Sequence, residues 1–376
     1  MNKIELLAPA KDLEKAKIAI MYGADAVYVG GKNFSLRSRA SNFENEDIKE
    51  LCEFAKPYGA KVYVTVNIIF HDSDFTGIKE YIKYLNDVGV SAVIISSLIL
   101  IPIVRQVAPA LECHISTQLS SFNSSAVRTL KTFGADRVVL AREASMKQIE
   151  AISKKVDVPL EVFIHGGMCS NFSGRCVLSN RMTLRDANRG GCAHSCRWKY
   201  HLYDGENEIS TPECLLSMSS KDLRASAYIE RMIKAGIASL KIEGRMKSEY
   251  YIGQVVKTYR NMIDEIYANG SLSDERLAYY DEETFLSLVK NRWEELRQTA
   301  FSKENMNEMA DEYIAEAVEY CIRELDNLEC QNAGTDGYLS AWDRMPKSIL
   351  ESTMNTRELG MYRIQGTKNY TLSNRI

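Results

Sequence analysis

The stretch Gly23-Ala-Asp-Ala-Val-Tyr-Val-Gly30 decides the fold. Its first glycine suits the left-handed position just past a helix, and the apolar run after it suits a strand buried on both faces. The pattern returns as Gly59-AKVYVTVN, Gly89-VSAVIISS, Gly134-ADRVVLA and Gly236-IASLKIEG. Helices alternating with such strands imply parallel pairing through βαβ units. Strands are expected at 4–8, 26–30, 61–67, 92–97, 112–117, 137–141, 160–165 and 238–243. Helices are expected between them, among others at 12–22, 45–57, 75–88, 123–133, 145–154 and 222–235, with a last one at 248–268. Eight β/α units fit an α/β fold of the TIM-type (β/α)8 barrel class. The rival is an open doubly wound sheet. Against it, Pro9-Ala10-Lys11-Asp12 after the first strand reads as a helix entry, not as a glycine-rich phosphate loop.

One connection breaks the rhythm. More than 50 residues separate the seventh strand from the helix expected at 222. A loop that long inside a compact domain is usually functional, and this one leaves the C-terminal end of a barrel strand, where barrel active sites sit. We therefore expect a barrel over 1–270 that includes a cysteine-rich loop at 166–220. Residues 271–376 are expected to form an acidic, mainly helical extension, with 20 acidic and 12 basic side chains.

The whole chain of 376 residues has a net charge of −3, so residues 1–270 are basic by five charges. The segment 166–203 alone sets Arg175, Arg181, Arg185, Arg189, Arg197 and Lys199 against Asp186. Such a loop attracts anions or a nucleic-acid backbone, although a charge run also suits any solvated face. No apolar run approaches membrane-spanning length, and the opening MNKIELLAPA lacks the apolar core of a signal peptide. The expected location is cytoplasmic, away from membranes. Thiols are kept reduced there, so clustered cysteines point to metal binding or catalysis.

Five of the nine cysteines fall in the long loop, spaced Cys169-x6-Cys176-x15-Cys192-x3-Cys196, with Cys214 further on. Thiolate-rich sites select iron–sulfur clusters or zinc. Only the last pair approaches the short spacing of a zinc knuckle. Spacing alone leaves a cluster, zinc and unliganded thiols open, with His165 and His194 as alternative ligands. Cys52, Cys113, Cys321 and Cys330 are scattered at apolar positions and read as small buried hydrophobes.

The segment Glu161-Val-Phe163-Ile-His165-Gly166-Gly167-Met168-Cys169-SNFS-Gly174-Arg175-Cys176-Val-Leu178-Ser179 closely resembles the signature of the collagenase-like peptidase family. That pattern is Glu-x-Phe-x-x-Gly-(Ser/Ala)-(Leu/Met)-Cys-x4-Gly-x-Cys-x-(aliphatic)-Ser, and Gly167 is the one departure. ELLAPA at the start, Asn33-Phe34-Ser35, SSKDLR at 219–224 and Lys241-Ile242-Glu243-Gly244-Arg245 also look like family landmarks, so the resemblance covers about 1–268. It implies an iron–sulfur cluster, of the 4Fe-4S kind, on Cys169, Cys176, Cys192 and Cys196, with Cys214 in reserve for the fourth place. It further implies oxygen-independent hydroxylation of a pyrimidine in RNA, as in the branch that uses prephenate to hydroxylate the wobble uridine of tRNA. The implied partners are RNA, tRNA foremost, a small anionic donor and a related subunit of the same family. Many tRNA-modifying members end in a small β-rich domain, from which the acidic 271–376 departs.

Arg142, Lys241 and Arg245 end or follow barrel strands and are candidates to hold a dianionic donor, with His165 as a further catalytic candidate. The competing reading pairs the cations with Glu143 and Glu243. Gln118 and Asn33 suit hydrogen bonds to a base or sugar. Phe172, Trp198 and Tyr200 suit stacking on an unpaired base, or simply packing of the loop on the barrel. Two other functions stand beside hydroxylation. A peptidase would need a nucleophile or metal site, and neither HExxH nor GxSxG occurs, which leaves a pair such as Cys169 with His165. A non-catalytic electron carrier or scaffold would need only the cluster.

Overall fold

The computed structural model describes residues 3–36, 42–210, 216, 218, 220, 222–245 and 247–281. Eight parallel strands close into a barrel: β1 (Glu5–Pro9), β2 (Ala26–Gly30), β3 (Lys61–Val66), β4 (Ala92–Ile95), β5 (Glu112–Ile115), β6 (Arg137–Val139), β7 (Leu160–Gly166) and, after three short strands, β11 (Ser239–Ile242). Each pairs with its neighbour in this order, and β11 returns to β1 through Glu5↔Ser239 and Leu7↔Lys241. The expected (β/α)8 barrel is therefore the observed fold, with every strand within a few residues of its expected place.

The short strands belong to the excursion between β7 and β11. Tyr203–Asp204 (β8) and Asn207–Glu208 (β9) form a small antiparallel hairpin. Leu223–Arg224 (β10) pairs antiparallel with His165 and Gly166 at the top of β7.

Around the barrel lie α1 (Leu13–Met21), α2 (Asn45–Ala55), α3 (Ile78–Asp87), α4 (Leu100–Val107), α5 (Ser124–Thr132) and α6 (Met146–Ser153). A short α7 (Leu178–Thr183) lies within the cysteine-rich loop, and α8 (Ile229–Lys234) and α9 (Glu249–Asn269) complete the ring. Side-chain caps start several of them: Asp12, Asn123, Ser145 and Ser248 each accept a hydrogen bond from an orphan amide of the first turn. The expected helix at 222–235 is shorter, because residues 223–224 are spent on β10 and 226–228 on a 3-10 turn. The helix expected at 75–88 likewise begins at Ile78, after a 3-10 turn at Asp72–Phe75.

The core has two parts. Leu6, Val27, Val29, Val62, Val64, Val93 and Ile115 point outward from the barrel and pack against the helices. Leu7, Tyr28, Tyr63 and Ile94 point inward, and they share the lumen with charged side chains. Cys52 and Cys113 are buried apolar-site thiols, as expected. The first residues of the acidic extension fold back: Tyr280 is buried and donates to Glu265 (2.7 Å), while Asp281 pairs with Arg224. Cys321 and Cys330 and the rest of the expected helical extension lie outside the described residues.

Candidate functional site at the barrel mouth

Strand alternation sends every second side chain into the lumen, and in this chain many of those side chains are charged. Glu5 binds Arg137 (2.5 Å) and accepts from Tyr63 (2.6 Å). Arg137 reaches Glu161 (3.2 Å), which also holds Lys241 (2.7 Å). Glu161 is fully buried, and burial alone would push its carboxyl up. Lys241 and Arg137 outweigh that cost and keep the group below the ordinary carboxylate range. At the lower end His114, packed edge-on against Tyr63, meets Glu112 at 2.8 Å, and desolvation holds its imidazole below the usual value. The result is a column of ion pairs along the barrel axis.

The column ends at the mouth. The Lys241 ammonium lies 4.4 Å from the Tyr28 ring centre, and the Tyr28 hydroxyl donates to Glu243 (3.3 Å). Glu243 takes Arg142 at 3.4 Å, and the Arg142 guanidinium stacks 4.0 Å from the centre of the Phe163 ring. Both arginine and lysine thus flank Phe163. Arg245, buried, crosses the end of β2: a Cβ on Gly30 would collide with its guanidinium and with Ser35 Oγ. Arg142, Lys241 and Arg245 therefore gather at or just below the mouth. The pairings expected from sequence hold only in part, since Lys241 pairs with Glu161 and Glu143 has other duties. Gln118 is tied to Asn67 (2.9 and 3.0 Å), and Asn33 lines a side cavity of about 420 Å³ with Lys32, Phe34, Ser35, Asp74 and Arg189.

The cysteine-rich loop is fastened across this mouth at several points. On one side Glu143 accepts from the Ser173 amide (2.8 Å) and hydroxyl, and Ser120 donates to the Ser173 carbonyl. Gly174, at φ +74°, sits against the Gln118 carbonyl so closely that any Cβ would collide with it. On the other side Arg189 pairs with Asp74 (2.5 Å), which holds the Asp74 carboxyl down at about 2, and the Ile69 amide donates to the Asn188 carbonyl. Within the loop, Ser179 donates to the Gly191 carbonyl and accepts from the Ala193 amide, which joins α7 to the segment around Cys192.

Among the described residues four free thiols lie on this loop: Cys169 and Cys192 exposed, Cys176 and Cys196 half-buried. The Cys169 thiol is raised above its ordinary range by desolvation. Arg142 opposes the rise, and Glu243, Cys192 and Cys196 add to it. Three thiols thus share one electrostatic neighbourhood with the top of the ion column. Asn171 also donates to Cys176 Sγ (3.4 Å). Among the described residues no three His, Cys, Asp or Glu side chains converge on one point close enough to grip a single metal ion. As a donor set, four thiols on one loop have the chemistry an iron–sulfur cluster requires. Cys214 lies outside the described residues.

His165 stands at the top of β7, but its ring does not enter the mouth. The register of β7 and β11 shifts at Lys241/Ile242, beside it, and its ring faces α9. There Nδ1 meets the Tyr259 hydroxyl (3.1 Å), and burial, with Arg224 and Lys247 nearby, lowers its pKa to about 3. No hydrogen bond joins it to Cys169 among the described residues. Residues that sequence reasoning passes over are Arg137, Glu5 and Tyr28, and Glu161 enters it only as the first position of the family signature. Their signal is present, as charged or hydroxyl-bearing side chains within otherwise apolar strands.

Fold and loop together define a (β/α)8-barrel protein with a cysteine-rich loop across the strand C-termini. The sequence pattern of Peptidase family U32 matches residues 11–321, and the chain belongs to that family. It is 53% identical over 268 residues to the tRNA hydroxylation protein P1 of Bacillus subtilis, an alignment covering 70% of this chain and 64% of that protein. It is 40% identical over 265 residues to a 5-hydroxycytidine synthase of Escherichia coli 23S rRNA, covering 70% of this chain and 40% of that enzyme. A protein named collagenase from Porphyromonas gingivalis is 35% identical over 305 residues, covering 78% of this chain and 72% of its own length. The chain thus spans less than two thirds of the first two relatives. Among the described residues no helix is long and apolar enough to cross a membrane.

Proposed function

We propose that this protein is an RNA-modifying enzyme that hydroxylates a pyrimidine without molecular oxygen, the wobble uridine of tRNA being the favoured target. The observation that supports it best is the juxtaposition of the loop thiols with the cationic end of the ion column. A 4Fe-4S cluster on Cys169, Cys176, Cys192 and Cys196 would supply one-electron redox chemistry when bound. The chain's own residues would supply the rest. Arg142, Lys241 and Arg245 gather at or just below the mouth, above an Arg137 held by Glu5 and Glu161, and cations so placed favour an anionic donor. A carboxylated donor of the prephenate type fits it, with Arg142 free to offer a bidentate face once it leaves Glu243. Phe163 would hold the guanidinium flat, and Glu161 would keep the Lys241 ammonium charged.

The relatives named for tRNA and rRNA hydroxylation support the same reading. The peptidase reading draws on the relative named collagenase, but the thiol–imidazole pair considered for it, Cys169 with His165, is split between the mouth and α9. The test is nucleoside mass analysis of RNA from cells that lack the gene, with re-expression of the wild type and of Arg142→Ala. The expected result is loss of a pyrimidine one oxygen heavier than its parent, restored by wild type only. An unchanged nucleoside profile would overturn the proposal.

A further inference from the structure

The ion column pairs its charges below the mouth, whereas the outer face of the cysteine-rich loop leaves several of its charges unmatched. Arg175, Arg181 and Lys199 are exposed, and their side chains, like that of Arg185, make no ion pair or hydrogen bond among the described residues. Beside them stand apolar side chains that a folded surface would ordinarily cover: Leu184 is 93% exposed, and Phe172, Met182 and Trp198 are each more than 40% exposed. Those on α7 and around Trp198 share one face, and Arg175 and Phe172 precede it on the same loop. Arg181 and Met182 lie on α7, and the Tyr200 hydroxyl touches both Met182 Sδ (3.3 Å) and the Ser195 carbonyl (2.5 Å), which brings the segment with Trp198 and Lys199 alongside α7. Phe172 packs edge-on against Phe122 at 5.5 Å, with both rings still open to solvent.

We infer that this face docks an unpaired segment of RNA, its cations on the phosphates and Trp198 stacked on a base, with the open Phe172 ring of the same loop available to a second. The inference rests on the RNA reading proposed above and adds where the substrate sits. Unmatched arginines next to open ring faces suit a single strand, because a paired helix hides its base faces and offers only phosphates and sugar edges. The same loop holds the four thiols, so a base stacked here is already beside the mouth. Arg189 is excluded from the face, since Asp74 occupies it.

The test uses the full chain purified without oxygen. Fluorescence anisotropy is read with a labelled single-stranded RNA, an anticodon stem-loop and a fully paired RNA duplex across a salt series. The expected order is stem-loop and single strand well above duplex. Arg175→Ala/Arg181→Ala/Lys199→Ala should lower affinity at least tenfold. It should also flatten the salt slope by about two, at about 0.7 for each single-strand phosphate that is no longer neutralised. Trp198→Ala should cost about tenfold and Trp198→Phe much less, as stacking survives in the second. Iron and sulfide content and melting temperature should match wild type in each variant. If wild type binds the stem-loop and the variants bind it equally well, this face is not the site although the RNA reading stands. If wild type binds no RNA, the RNA reading falls and this inference with it. Saturable binding of an acidic polypeptide, lost in the same variants while RNA binding is retained, would make the face a protein-docking surface and overturn the inference.

Discussion

The barrel interior and the loop above its mouth handle charge in opposite ways. Inside, Glu5, Arg137, Glu161 and Lys241 are buried or nearly so, and each has an opposite charge within 3.2 Å. On the loop, Arg175, Arg181 and Lys199 are exposed and unmatched among the described residues. The interior must balance its charges because a buried ion left unpaired is costly, while a solvated cation is free to wait for a ligand. The interior below the mouth is therefore read as scaffold and positioning device, and the mouth and the loop above it as the parts that meet other molecules.

The largest expected effect lies inside. Glu161→Leu strands the Lys241 ammonium in a buried site and leaves Arg137 with Glu5 alone, and should destabilise the protein by about 3–5 kcal/mol in urea unfolding. A loss below about 1 kcal/mol would mean that water, not the ion column, solvates the lumen. Removing a loop cation such as Arg181 should change stability negligibly, which is the sharpest form of the contrast.

A second effect is pH-dependent. His165 has a pKa near 3 in the folded protein against 6.5 unfolded, so the unfolded chain takes up its proton first. Its contribution is fully present above about pH 6.5 and drains away as pH falls toward 3, at up to about 1.4 kcal/mol per pH unit. His165→Gln should flatten that part of the stability profile. An unchanged profile would show that the ring is not held neutral against α9.

A smaller effect concerns how the loop is seated. Gly174→Ala adds a Cβ at φ +74° against the Gln118 carbonyl and should cost about 1–3 kcal/mol, spent on lifting the loop. Limited proteolysis should then cut within 167–200 while the barrel's thermal transition hardly moves. Equal protection of wild type and variant would mean the loop is held by interactions other than those at Ser173 and Gly174.

This contrast also explains what the sequence discloses. The barrel is legible because Gly-punctuated apolar strands such as Ala26–Gly30 and Ala92–Ile95 are governed by local turn chemistry and two-sided burial. Helix α4 is harder to read: its buried stripe of Leu100, Ile101 and Val104 follows directly on the apolar Leu98-Ile99, and Pro102 falls in its first turn, so its start has no local mark. His165 misleads because alternation along β7 is broken by the register shift beside it, a tertiary feature with no local mark. The ion column requires knowing which strands face one another across the lumen. The thiol spacing, by contrast, marks the loop as chemical before any fold is known.

The most direct test of the account is iron and acid-labile sulfide in protein purified without oxygen, beside a variant with Cys169, Cys176, Cys192 and Cys196 changed to Ala. The account predicts near-equal iron and sulfide in the wild type, both lost in the variant, with the barrel's far-ultraviolet circular dichroism retained. Zinc without sulfide, or no bound metal in either protein, would contradict it.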